Sequence, residues 1–358
     1  MPYKISGYLQ DPSAKIIVIK EVDWEVETTQ DVTLGNYEVL DLEAGTKSVL
    51  AVSPDGEVVG FGDVSGILYN PPLVGDVGVF GGGYDSASTN RIDYIIISTT
   101  GNAADFGDLT AARSGLGATS NGSNDRGVFC AGAGDYTNIM DYITISTTGN
   151  ATDFGDYYKT TQFISGTSND TNDRGVFYGD YIVASNRIDY ITITSLGDSI
   201  DFGDSTDGRY SPAACSNGVN DRGVFAGGWS PPTVIDYITI SSTGNAISFG
   251  SLTTGRYSLG GTSNSTNERG IFGGGTTTTN IIEYITITSL GNSIDFGDLT
   301  AARGALAATS DGTNDRATFG GGTLVDIIDY VTISSTGNAT DFGNLTVATQ
   351  NLAATSNA

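Results

Sequence analysis

The sequence predicts an all-β chain in two parts: an N-terminal β-sandwich over residues 1–70, then a six-bladed β-propeller over 71–358 closed by the C-terminal strand. Three observations predict it. An Asp/Glu-Tyr-(Ile/Val)-(Thr/Ile)-Ile segment recurs at Tyr94, Tyr142, Tyr190, Tyr237, Tyr284 and Tyr330. Twelve residues after each comes the phenylalanine of Phe-Gly: Phe106, Phe154, Phe202, Phe249, Phe296 and Phe342. The period is 46 to 48 residues and holds four short strand-like segments, the content of a propeller blade. The ends of the array are complementary halves. Residues 76–108 supply three segments of a unit and LAATSNA (352–358) supplies the missing one, so joining them hides two open sheet edges.

Residues 1–70 do not share the repeat and hold four of the five lysines, Lys4, Lys15, Lys20 and Lys47. Alternating runs at KISGYL (4–9), KIIVIK (15–20), WEVET (24–28), NYEVL (36–40), KSVLAV (47–52) and EVVGFG (57–62) predict six short strands. LYNPPLVG (68–75), with Pro71 and Pro72, predicts a stiff link arriving at the end of the ring where its first strand begins. Within the array, strand a centres on Ala-Thr-Ser. Strand b ends in a phenylalanine (Phe80, Phe129, Phe177, Phe225, Phe272, Phe319), c carries the tyrosine and d the Phe-Gly. β-Branched and aromatic residues bounded by Gly, Asn and Asp are strand signals, and the same Gly, Thr and Asn content excludes helix.

The run Val-Phe-x-Gly-Gly, then Asp-Tyr, then Phe, then Leu-Thr-x-x-Arg resembles the kelch repeat over residues 76–358. That resemblance implies the scaffold alone, because the copper oxidase among kelch proteins needs histidines that this chain lacks. The run GNYEVLDLEAGTKSVLAVSPDGEVVGFG (35–62) resembles the carboxypeptidase-regulatory-like sandwich found on bacteriophage virion proteins. This second resemblance implies a tail or capsid fibre type of protein, with contacts to other virion proteins through residues 1–70.

Charge and composition narrow the chemistry. With 16 Lys+Arg against 41 Asp+Glu the formal charge is −25, which leaves no cationic surface for nucleic acid or an anionic membrane. No run of 18 apolar residues occurs, so membrane insertion is not expected. The absence of histidine excludes imidazole catalysis and His-ligated metals. Cys130 and Cys215 lack CxxC spacing and read as separate buried thiols. No cofactor is expected. The N-terminus lacks an apolar signal region, which fits a virion part released by lysis.

Most polar residues are locked to the repeat. Arg126, Arg174, Arg222, Arg269 and Arg316 follow an acid in the a–b turn, and Arg113, Arg209, Arg256 and Arg303 follow Phe-Gly by seven. Arg91 and Arg187 precede the Asp-Tyr strand. These are expected to fill a repeated local role, an Asp-Arg pair closing a hairpin or bracing neighbouring blades. Asp93, Asp141, Asp189, Asp236, Glu283 and Asp329 form a ring, where catalysis needs one asymmetric constellation. Turns such as NGSNDRG (121–127) and NDTNDRG (169–175) read either as hairpins or as calcium ligands, although arginine stands where a DxDxDG loop has glycine.

The units differ in one place. From each tyrosine to the next strand-b phenylalanine is always 35 residues, whereas from that phenylalanine to its tyrosine the count falls from 14 to 11. All length variation therefore sits in the b–c loop. In an up-and-down blade the b–c and d–a connections share one face, and the a–b and c–d turns share the other. The sequence thus predicts one diversified and one uniform face, with ligand contact on the first through Tyr84, Tyr136, Tyr157, Tyr158, Tyr181 and Trp229. The functional expectation is a non-enzymatic viral adhesin that recognises a host-surface glycan or protein and resides in the virion. A protein-interaction propeller with no virion role is the alternative, a glycan-degrading enzyme the third reading, and homo-oligomerisation is left open.

Overall fold

The computed structural model describes the backbone of six strands within residues 1–71. In the ring it describes residue 73 and residues 76–357, apart from 122–124, 135–137, 170–172, 218–220, 264–267, 277–278 and 312–314. The chain divides into two compact units, Met1–Pro71 and Pro72–Ala358. In the first, Glu25–Asp31, Lys15–Lys20, Lys47–Val52 and Val58–Asp63 form a four-stranded antiparallel sheet in that order, and Ile5–Leu9 pairs with Gly35–Val39. The six expected strands are there. The packing of a sandwich and the Pro71–Pro72 link lie outside the described residues.

The second unit is a six-bladed propeller, and among its described residues no helix occurs. Each blade is a four-stranded antiparallel sheet in the order a-b-c-d. Blade 2 is Gly117–Asn121, Arg126–Cys130, Ile139–Thr144 and Thr152–Asp156, and blades 3 to 6 repeat it through Thr340–Asn344. Blade 1 closes the ring: the C-terminal strand Ala353–Ser356 pairs with Val77–Gly81, which continues into Thr89–Ile96 and Ala104–Arg113. The first described residue of this unit, Leu73, donates its N–H to Ser146 in the c–d turn of blade 2.

The a strands stand side by side around the axis and are fastened at both ends. At the b–c/d–a end, Gly115, Phe163, Ser211, Ser258, Ala305 and Asn351 each donate a backbone N–H to the preceding member's carbonyl, closing a circle of six bonds of 2.5 to 3.0 Å. All six have φ between +54° and +67°, and only one is glycine. At the other end Ser120, Ser168, Ser216, Ser263, Ser310 and Ser356 form a second circle, each hydroxyl donating to the previous serine's carbonyl. Small side chains let the strands approach this closely. The residual axial cavities, about 100 and 130 Å³, have no Asp, Glu, Lys or Arg among their lining residues.

Neighbouring blades are tied at the periphery by the residues of the repeat. Each c–d turn glycine donates its N–H to the Phe-Gly carbonyl of the preceding blade, as Gly149 does to Phe106 and Gly101 to Phe342. Phe-Gly needs its glycine for this: at Gly107 (φ +146°) a Cβ would lie 2.4 Å from the Gly149 carbonyl oxygen. Tyrosine and phenylalanine of one blade meet edge to face, Tyr94 and Phe106 at 6.1 Å and 74°, and the other five pairs do likewise. The a–b turn arginines lie over those tyrosines at 4.3 to 4.6 Å and donate to a carbonyl of the next blade, Arg126 to Ile193 for example. The adjacent acid is not their partner. Asp125, at φ +53°, accepts the Ser146 N–H of the c–d turn instead. Cys130 and Cys215 are free, buried thiols on different blades, as the spacing predicts.

Candidate functional site

The acidic ring is built by a bulge that interrupts the c–d register immediately before the acid in every blade. A bulge re-aims the side chain beside it. Here the carboxylate meets the d–a connection entering its own blade. Arg113–Asp141, Arg209–Asp236, Arg256–Glu283 and Arg303–Asp329 are ion pairs with side chains at most 1% exposed. In the connections entering blades 1 and 3 the arginine is replaced by Thr349 and Thr161. There the guanidinium comes from two residues upstream of the acid on its own strand: Arg91 lies 3.8 Å from Asp93, and Arg187 grips both oxygens of Asp189 at 2.9 and 2.6 Å. The other four blades carry Ile139, Val234, Ile281 and Ile327 at that upstream place. Each acid thus has one arginine, reached by one of two routes.

The connection entering blade 3, residues 157–164, holds an asymmetric polar cluster. Lys159 is ion-paired to Asp180, whose Oδ1 also accepts Thr161 Oγ1 and the Ile182 N–H, both at 3.0 Å. The Tyr158 ring lies over the Arg187 guanidinium at 4.2 Å. Burial pushes the Asp180 carboxyl up, but Lys159 and the Ile182 N–H outweigh it and hold it below the ordinary carboxylate range. Burial would lower Lys159; its bonds to Asp180 and Tyr158 leave it raised. Tyr158 is raised, by burial first. A charged amine, an ionised acid and a neutral phenol are therefore locked in their resting forms, the reverse of what proton transfer near neutral pH requires. This cluster fills the space that an arginine occupies in other blades.

Tyr157 is not a surface residue. It takes the place of Leu109 in the preceding connection, is 1% exposed and packs edge-on against Phe177, so the expectation that it touches ligand is corrected. A doublet of tyrosines after Asp-Phe-Gly-Asp gives one inward and one outward ring, and only Tyr158 faces partly outward. Tyr136 lies outside the described residues.

Tyr84, Tyr181 and Trp229 are on the b–c/d–a face and are 38%, 46% and 48% exposed. Although their loops differ in length, the three positions are equivalent. Each stands four residues after its strand-b phenylalanine and donates its N–H to the connection entering its own blade: Tyr84 to Gln350, Tyr181 to Gln162, Trp229 to Tyr210. Ala133 with Ser114, and Thr276 with Tyr257, make the same backbone contact, and Thr323 Oγ1 meets Gly304 N–H. A pair of positions therefore recurs around the channel mouth on a fixed backbone with a free choice of side chain.

In blades 3, 4 and 5 aromatic residues at these positions, with Phe163 beside Gln162, lie in contact with one another. Phe163 and Tyr181 are 5.3 Å apart at 73°, Tyr181 and Tyr210 5.0 Å at 83°, Tyr210 and Trp229 6.0 Å at 17°, Trp229 and Tyr257 4.9 Å at 80°. Phe163 also lies 6.3 Å from Tyr210, so the first three rings form a triangle that Trp229 and Tyr257 extend into one continuous row across three blades. Sequence reading missed Tyr210 and Tyr257, although Arg-Tyr-Ser at 209–211 and 256–258, against Arg-Ser-Gly at 113–115 and Arg-Gly-Ala at 303–305, carried the signal. The opposite face keeps its backbone pattern but is not uniform in side chain: Leu196 and Leu290 are exposed in c–d turns that elsewhere carry threonine. Of the calcium reading, residues 122–124 and 170–172 lie outside the described set, and the Asp125 and Asp173 carboxylates accept bonds from the c–d turns.

Compared with models of known protein families the chain matches none, and no curated protein matches it.

Proposed function

We propose that this chain is a non-enzymatic recognition protein whose propeller presents the b–c/d–a face to a ligand on another surface. A propeller is consistent with a binding role, and the observation that carries the assignment is the aromatic row. Tyr181 and Trp229 leave nearly half of their area exposed, on a position where three other blades carry Ala or Thr, and Tyr210 and Tyr257 stand where the other blades carry Ser, Gln or Gly. Large exposed rings on a rigid frame are poor for solubility and good for binding. The kelch-like motifs support the scaffold part of this reading. The resemblance of residues 35–62 to virion sandwiches supports the finer one, an adhesin carried on a virus particle, with residues 1–70 as its attachment. The locked protonation states around Lys159 favour binding over catalysis.

The test is adsorption of the fluorescently labelled full chain to a panel of bacterial cells, comparing wild type with Tyr181→Ala/Trp229→Ala. Loss of adsorption at unchanged melting temperature is expected, and wild-type adsorption by the double variant would sink the assignment. Detection of the chain in purified virus particles tests the virion location separately.

A further inference from the structure

Resting on that reading of the face, we infer that the ligand is an uncharged, linear polysaccharide lying along the row from Phe163 to Tyr257. Charge distribution selects the class. The protein carries −25 overall, a field that disfavours uronic and sialic acid chains. A cationic ligand would need free carboxylates, yet beside the row Asp180 is spent on Lys159, leaving Asp207 as the exposed acid in the connection to Tyr210. The loops over blades 4 and 5, GGWSPPT (227–233) and GGTTTTN (274–280), contain no ionisable residue. The chain neighbours of the rings carry no charge besides these and the buried, ion-paired Arg209 and Arg256: Ser211, Ser230 and Ser258 follow the rings in sequence, and Ile182 and Val183 are exposed beside Tyr181. Burial, then the neighbouring Tyr181 and Tyr257, hold the Tyr210 phenol above its ordinary range, so it stays a neutral donor.

Geometry selects a chain over a single sugar. Successive ring contacts of 4.9 to 6.0 Å are comparable with one hexose unit, and the row spans three blades. Apolar C–H faces of pyranoses cover aromatic faces while their hydroxyls reach a polar rim, a combination that suits amphipathic rings. The rings also brace one another and stand on hydrogen-bonded backbone at Tyr181, Trp229 and Ser211. Little conformational freedom is left to lose on binding.

The experiment titrates the full chain with neutral oligosaccharides (linear β-1,4-glucan, mannan and galactan fragments) and with oligogalacturonate and oligosialic acid of similar length. At least one neutral chain should bind, with affinity changing less than about twofold between low and high salt because no ion pairs form. Trp229→Ala should weaken it about tenfold or more, and Ile182→Ser/Val183→Ser, which alters exposed aliphatic residues beside the row, should leave it unchanged. Binding restricted to the acidic chains, or to none of them, overturns the inference. If the Tyr181/Trp229 variant still loses cell adsorption, and protease treatment of the cells abolishes wild-type adsorption, the face is right and the partner is a protein. If neutral chains bind but Trp229→Ala has no effect, both the inference and the assignment of the face fail.

Discussion

The two faces of the ring are made by the same repeat and treat it differently. On the a–b/c–d face each blade spends its polar groups on its neighbours: arginine to an isoleucine carbonyl of the next blade, glycine N–H to the Phe-Gly carbonyl and serine hydroxyl to the serine carbonyl of the preceding one. On the b–c/d–a face the backbone contacts recur equally well, but the side chains they carry do not take part in closing the ring. A position whose side chain is an obligatory partner cannot vary without a cost in stability; a position held by its backbone can. That difference explains why the aromatic row sits where it does, and it makes the effects of substitutions on the two faces separable.

The largest effect is expected where a strand is lost. Deleting residues 352–358 removes the pairing of Ala353–Ser356 with Val77–Gly81, buried Leu352 and Ser356 of the serine circle. The cost should be on the order of 5 kcal/mol, seen as a large fall in melting temperature. An unchanged melt would mean that blade 1 does not depend on this closure.

Next come the buried ion pairs. Arg113→Thr leaves the Asp141 carboxylate buried without its cation and should cost about 3–5 kcal/mol in denaturant unfolding. Adding Ile139→Arg copies the arrangement that Arg187 and Thr161 use around Asp189, and should recover more than half of the loss. Failure to recover would show that the two routes to the acid are not interchangeable.

Asp180 sharpens the comparison by pH, because it fastens the Tyr181 loop on the variable face. Its carboxyl is held below the ordinary value of about 3.9, so it contributes stability above that pH that is lost as pH falls through the folded value. Asp180→Asn should therefore melt below wild type at neutral pH, with the gap closing as pH falls below the ordinary carboxylate range. A gap independent of pH would remove the charge from the explanation.

The smallest effect on stability is expected at Phe163. Its φ of +57° costs a non-glycine residue roughly 1 kcal/mol, so Phe163→Gly should be neutral or slightly stabilising while removing one ring from the row. Measured melting below wild type by several degrees would mean that the ring is needed for folding.

The ring was legible because its signals are backbone requirements repeated six times: Phe-Gly where a c–d turn approaches, small residues where strands crowd the axis, and a missing strand at each end. The candidate site was legible in part. Exposed Tyr84, Tyr181 and Trp229 stand out as large residues in glycine-rich loops, but their shared offset of four from the strand-b phenylalanine goes unnoticed when loops of unequal length are compared from the tyrosine side. Tyr157 and Tyr158 are adjacent and chemically identical, so only the packing against Phe177 tells the buried one from the other. Phe163 reads as a break in pattern, and what places it at the mouth is a left-handed backbone that its neighbours share. The exchange of Arg113-type for Arg187-type pairing was present in the sequence as two absences and two additions, yet linking them requires knowing which connection faces which strand.

The most direct measurement compares sectors of the same face. Tyr181→Ala, Tyr210→Ala and Trp229→Ala combined, and Ala133→Ser with Thr323→Ser, which keeps the hydroxyl bonded to Gly304, as the control on blades 2 and 6, are assayed together for unfolding free energy and for adsorption to a cell surface that wild type binds. The account predicts that the control matches wild type in both. For the aromatic variant it predicts loss of adsorption by at least about tenfold, with each exposed substitution, at Tyr181 and Trp229, costing within about 0.5 kcal/mol of stability. Full adsorption by the aromatic variant, or an equal loss in the control, would contradict it.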